Sequence, residues 1–223
     1  MQLVMQNQTK WALIPLFFLL TFCLFGQSPQ LLKDLNFSAF DGIPQGMTKV
    51  GSTVFFSSND PVHGRELWKT DGTVAGTVLV KDISTGVTSS NPSDFCNVNG
   101  TLVFSAFRSD SGIELWKSDG TAAGTVLIQD INPGAFNSAP TNLFAVGNKV
   151  FFAGFHATLG HELWMYDLST NEVTFIKDIN PNAANSSPAG FVFLDNTLFF
   201  RATTVANGTE LWKHTLKDRK SVV

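Results

Sequence analysis

The chain has 223 residues, with 15 Lys and Arg against 18 Asp and Glu, 21 Phe and two Cys. A net charge of −3 with no basic cluster argues against a nucleic acid or an anionic membrane surface as partner, since either calls for grouped Lys and Arg. Cys23 falls in an apolar leader, which leaves Cys96 without a partner for an internal disulfide, so burial has to hold the fold together.

At the N-terminus, Lys10 precedes an apolar run from Trp11 to Phe25 that is broken by Pro15 and Thr21 and followed by Gln27-Ser28-Pro29-Gln30. This is the layout of a signal peptide over residues 1–26, with Gly26 as the small residue before cleavage. A membrane anchor would need ~20 apolar residues, and lipid attachment at Cys23 is opposed by the bulk of Phe22. The expected product is secreted or cell-surface, with no stable membrane span once the signal is removed. Fourteen basic and 18 acidic side chains then remain.

From residue 27 to 213 the sequence repeats every 48 residues without an insertion. Glu-Leu-Trp recurs at Glu66, Glu114, Glu162 and Glu210, which puts Trp68, Trp116, Trp164 and Trp212 in one column. Asp34, Asp82, Asp130 and Asp178 form another, as do Pro44, Pro92, Pro140 and Pro188, and Gly64, Gly112, Gly160 and Gly208. A regular period of this length has to be read before any local pattern.

The third repeat shows four short apolar runs: Asn142–Val146, Val150–Phe155, Glu162–Tyr166 and Thr174–Ile179. Each has strand length, and the prolines fall just before the first run, where a missing N–H costs no ladder bond. Asp71-Gly72 and Asp119-Gly120 read as tight hairpin turns, replaced in the third repeat by Asp167-Leu168-Ser169-Thr170-Asn171 at the same length. Four-stranded antiparallel meanders repeating every 48 residues predict an all-β fold, a β-propeller with four blades visible. The blades span 36–83, 84–131, 132–179 and 180–213, and 214–223 form an atypical tail. A linear β solenoid is the competing architecture. Leu31–Leu35 matches the fourth strand Leu79–Ile83, so it is expected either to close a four-bladed ring against Glu210–Lys213 or to belong to a larger ring of which this chain is a fragment.

The string from Glu114 to Thr125, Glu-Leu-Trp-Lys-Ser-Asp-Gly-Thr-Ala-Ala-Gly-Thr, and its partner from Glu66 to Thr77 resemble the ELWxxDGT repeat family of exported bacterial proteins. The likeness covers residues 31–213 and weakens after Trp164 and Trp212. It implies an exported propeller-like protein and carries no settled activity. Longer members end in a sorting domain for outer-membrane secretion, which the tail does not resemble.

The repeated acids Glu66, Glu114, Glu162 and Glu210, with Asp82, Asp130 and Asp178, could form a carboxylate ring. A group present once per blade is better explained by the needs of the blade, such as satisfying backbone donors. The Trp column is expected to serve core or blade-edge packing rather than stack sugars, because Leu67 and Trp68 point to opposite faces and blades pack on both. Phe55-Phe56, Phe151-Phe152 and Phe199-Phe200 are expected core. The histidines share no repeat column, and no catalytic, cofactor or metal site is assigned. A glycan or protein ligand would bind through interstrand loops, at residues that break the repeat: Asp60, His63 and Arg65, then Arg108 and Asp110, then His156 and His161. The expected function is a non-enzymatic binding or structural module, with a propeller enzyme acting on polysaccharide, or a nonfunctional fragment of a larger propeller, as alternatives.

Overall fold

The computed structural model describes residues 28–37, 41–134 and 136–216. The expected signal peptide and residues 217–223 lie outside them. Residues from Leu32 onward form one compact unit, and the fold is that of this unit.

The unit is all β. The first sheet is β1 (Gln45–Val50), β2 (Thr53–Asp60), β3 (Gly64–Thr70) and β4 (Val78–Lys81). The second is β5 (Ser93–Val98), β6 (Thr101–Arg108), β7 (Gly112–Ser118) and β8 (Val126–Gln129). The third is β9 (Thr141–Val146), β10 (Lys149–His156), β11 (Gly160–Asp167) and β12 (Glu172–Lys177), and the fourth is β13 (Ala189–Leu194), β14 (Thr197–Thr204) and β15 (Gly208–Thr215). Every sheet is an antiparallel meander in chain order, and the first strands adjoin in sequence, β1 by β5, β5 by β9 and β9 by β13. Each Pro of the proline column immediately precedes its first strand, as the pattern requires.

Core packing follows from strand alternation. Leu115 packs toward the third sheet with Val150, Phe152 and Trp164. Its neighbour Trp116 turns the other way, against Val50, Phe55, Leu67 and Val80 of the first sheet. Trp116 and Trp164 each pack their sheet against the one before it, and Trp68 is buried as well.

Three expectations need correction. Asp71-Gly72 does not make a two-residue hairpin; it opens a seven-residue loop from Asp71 to Thr77, between the end of β3 and the start of β4. Asp71 Oδ1 accepts from the Thr73 amide and hydroxyl at 2.9 and 2.7 Å, and Thr73 Oγ1 accepts from Gly76 N at 2.9 Å. A Cβ at Gly76 would lie 2.0 Å from Asp71 Oδ1, which is why glycine stands there. The third-sheet turn is shorter, Leu168 to Asn171, with longer strands on either side.

The fourth strands also stop before Asp82-Ile83 and their equivalents, because the Ile N–H groups are taken by glutamate carboxylates instead of the ladder.

Finally, among the described residues the fourth sheet has three strands: residues 31–35 adopt no strand and pair with none of β13–β15. Lys33 Nζ instead donates to Thr77 O at 2.6 Å, just as Lys81 Nζ donates to Thr125 O at 2.7 Å. That segment therefore lies against the first sheet as β4 lies against the second. The far face of the fourth sheet is open: Leu211 is 76% exposed, while its equivalents Leu67, Leu115 and Leu163 are buried to within 1%. β15 also runs through His214 and Thr215, two residues into the expected tail.

Candidate binding face

The β2–β3, β6–β7 and β10–β11 loops and the linkers between sheets lie at one end of the strands, and the Asp-Gly loops lie at the other. The repeated glutamates weld the first end together. Glu66 Oε1 accepts from Ser90 N at 2.8 Å, and Oε2 accepts from Ile83 N at 2.9 Å and Ser90 Oγ at 2.5 Å. Glu114 repeats this with Ile131 and Ser138, and Glu162 with Ile179 and Ser186. The same serines receive the next sheet's second strand, Phe107 N on Ser90 O, Phe155 N on Ser138 O and Thr203 N on Ser186 O.

All three glutamates are fully buried. Burial pushes Glu66 and Glu114 up to about 7, against the downward pull of the Ser and Ile donors, and shifts Glu162 in the same direction. Their chemistry is used within the fold, as the repeat implied. Glu210 is exposed and, among the described residues, has no such latch. Asp82 and Asp130 cap the linkers through Gly86 N and Gly134 N, each at 3.0 Å.

The Gly64 column belongs to the same weld. Gly64, Gly112 and Gly160 have φ near +70°, and a Cβ on Gly112 would lie 2.5 Å from Phe136 O. The linker passes too close for any side chain there.

The repeat-breaking candidates separate into local pairs and cavity residues. Asp60 Oδ1 accepts from Val62 N and His63 N at 2.7 and 2.8 Å, and His63 Nδ1 stands 2.8 Å from Oδ2. Burial works to raise the Asp60 pKa, but the bonds from His63 and Val62 outweigh it and hold it below the usual carboxylate range. This pair shapes the β2–β3 loop. Arg108 Nε meets Asp110 Oδ1 at 2.5 Å, and its guanidinium lies 5.2 Å from the Trp116 ring centre.

His156 packs against the Trp164 ring and Thr158, while His161, whose strand partner is Phe155, points to the other face of the third sheet. The two histidines therefore share no ligand. Among the described residues no three His, Cys, Asp or Glu side chains come together.

Arg65 and His161 occupy equivalent positions two repeats apart, and each lines a cavity. His161 borders one of about 220 Å³ with Thr141, Asn142, Asn185 and Ser187. Its Nδ1 is buried without a partner, and burial pushes its pKa below the ordinary value. Arg65 borders a larger cavity of about 610 Å³ between the first and second sheets, with Gln45, Asn91, Ser93, Phe107 and Asn137. Neither the asparagines and serines of these walls nor the Ser90, Ser138 and Ser186 latch was singled out from the sequence. The latch serines form a 48-residue column that could have been found, and the wall residues fall on the same period: Gln45, Ser93 and Thr141 in one column, Asn137 and Asn185 in another, and Asn91 two periods before Ser187.

No protein-family model matches the chain, and no curated protein matches it in sequence. Among solved structures the chain is similar to puromycin hydrolase, at 14% identity with a TM-score of 0.50 over 76% of this chain, and to TolB from Acinetobacter baumannii, at 14% identity with a TM-score of 0.43 over 77% of this chain. The matched part is 26% of the hydrolase and 43% of TolB, so the chain spans about a quarter of the hydrolase's length. The likeness to the hydrolase concerns the fold alone. Together the repeated antiparallel sheets and this likeness define an all-β, propeller-like repeat protein.

Proposed function

We propose that this is an exported, non-enzymatic propeller-like protein of the ELWxxDGT repeat type, acting as a binding or structural module at the cell surface or outside the cell. The observation that carries the reading is the division of labour among its polar residues. The repeated carboxylates Glu66, Glu114 and Glu162 are fully buried and committed to linker N–H and Ser hydroxyl donors. The residues that vary between repeats, Arg65 and His161 among them, line cavities at the loop end. A rigid frame with variable residues at its loop end is the usual arrangement of a recognition surface.

Such a surface would take a glycan or a protein. A panel of polysaccharides on affinity gels, assayed in parallel for release of reducing sugar, tests the reading. Retention without release supports it. Release that is abolished by changing a single acid would overturn it in favour of an enzyme acting on polysaccharide.

A further inference from the structure

We infer that the cavity between the first and second sheets binds the carboxylate of a hydroxyl-rich acidic sugar, a uronic acid unit, with Arg65 as its anchor. The inference rests on the binding-module reading above and names the ligand class for one of its cavities.

Arg65 is the cationic member of a column that otherwise reads Ile113, His161 and Thr209. Its guanidinium is fixed from one side only: Nη1 donates to Ile43 O at 2.9 Å and to Ser57 Oγ at 3.3 Å. Among the described residues no carboxylate lies within 4.0 Å of it, and no acceptor is bound at Nη2 or Nε. A guanidinium held through one nitrogen presents the rest of its fork in a set orientation, the geometry that takes a carboxylate through two parallel bonds.

The remaining walls suit the rest of a sugar. Gln45, Asn91, Ser93 and Asn137 supply amide and hydroxyl groups for hydroxyl partners, and Phe107 supplies an aromatic wall. About 610 Å³ is within the range of small-ligand sites and accommodates one or two sugar units. A single cation matches a monoanion. A phosphate dianion would call for a second cation, and no Lys or second Arg lines the cavity.

Isothermal titration of the purified chain with digalacturonic acid, neutral digalactose, sodium acetate and trialanine tests this. Digalacturonic acid is expected to bind at least tenfold more tightly than digalactose, and acetate to compete at high concentration. Arg65→Gln should weaken digalacturonic acid at least tenfold. Ser93→Asp should do the same by placing a negative charge on an exposed wall, without touching the groups that hold Arg65, so its melting curve should match the parent. His161→Gln, in the other cavity, should leave binding unchanged.

Equal affinity for digalactose, binding insensitive to both Arg65→Gln and Ser93→Asp, tighter binding of trialanine, or no binding of any probe would overturn the inference. Retention on a neutral polysaccharide gel in that event would leave the binding-module reading standing. Release of reducing sugar with Arg65-dependent binding would do the reverse.

Discussion

Glu114→Gln tests the glutamate latch through its pH dependence. Glu114 is 0% exposed, and its pKa rises from 4.5 to about 7 because burial disfavours the carboxylate more than Ser138 and Ile131 favour it. The folded state therefore binds a proton that the unfolded chain has lost. Stability from this group is fully present below pH 4.5 and is lost as pH rises to about 7. A rise of that size, at about 1.36 kcal/mol per pKa unit, amounts to roughly 3 kcal/mol. For a chain of this length that corresponds to roughly 6–12 °C in Tm.

His161 and His214 act in the opposite direction, because burial holds both below 6.5 and their stability is lost as pH falls. The measurement is accordingly a difference: thermal melts of parent and Glu114→Gln at half-unit steps from pH 5 to 8. Glutamine cannot ionise, so the parent should lose stability relative to the variant as pH rises. Glutamine still offers one oxygen to Ser138 N but not to Ile131 N, which sets a constant offset of about 1–3 kcal/mol. A parent-minus-variant difference that is flat, or that grows with pH, would refute the argument.

Glu114→Ala leaves the Ile131 amide without its acceptor, while Ser138 N keeps Ile113 O at 3.1 Å, and should cost about 1–3 kcal/mol, read by urea unfolding. Gly76→Ala should lower Tm, because its Cβ would lie 2.0 Å from Asp71 Oδ1; combined with Asp71→Ala the two losses should fall short of additivity, since the clash disappears with the carboxylate. Leu115→Ala should cost about 2–5 kcal/mol, whereas Leu211→Ala, at the same repeat position but 76% exposed, should stay within about 0.5 kcal/mol. An equal cost for both would mean that the open face of the fourth sheet is covered in solution. Cys96 is half-buried and burial raises its thiol pKa, so it should react with a disulfide reagent more slowly in the folded chain than in urea.

The sheets were legible in the sequence because their side chains answer to one repeated geometry. The Trp and Leu of each Glu-Leu-Trp alternate across a strand, and each proline sits one residue before a first strand, so period and position were enough. Loop chemistry was less legible. Asp71-Gly72 carries the composition of a tight hairpin, yet the hydroxyl of Thr73 holds Gly76 and builds a longer loop. That network depends on bonds two to four residues apart, running out to Thr77, which the dipeptide does not encode. The closing strand failed for a different reason. Leu31–Leu35 resembles a fourth strand in sequence, but Lys33 holds its segment against the first sheet, and a sequence match cannot say against which sheet a strand lies. The candidate binding residues were partly legible: Arg65 and His161 stand out by breaking a column, while Asn91, Asn137 and Ser93 become neighbours of Arg65 only through the path of the linkers.

The same geometry explains why so recognisable a motif says so little about activity. In the segment from Glu66 to Thr77, Glu66 holds the linker, Leu67 and Trp68 pack opposite faces, and Lys69 reaches Gly120 O of the next sheet at 2.8 Å. Asp71, Thr73 and Gly76 build the loop, and Thr77 Oγ1 closes it on Thr73 O at 2.7 Å. Nearly every residue of the motif is therefore engaged in building one sheet and joining it to its neighbour. The residues that differ between repeats stand just outside the motif, at the loop end, and Arg65 is the first of them. Recognition by this chain should accordingly track position 65, so Arg65→His, which places there the residue found two repeats on, should weaken digalacturonic acid at least tenfold. Affinity calorimetry with digalacturonic acid on that variant measures this. Binding that stays unchanged would mean that selectivity lies in the motif after all.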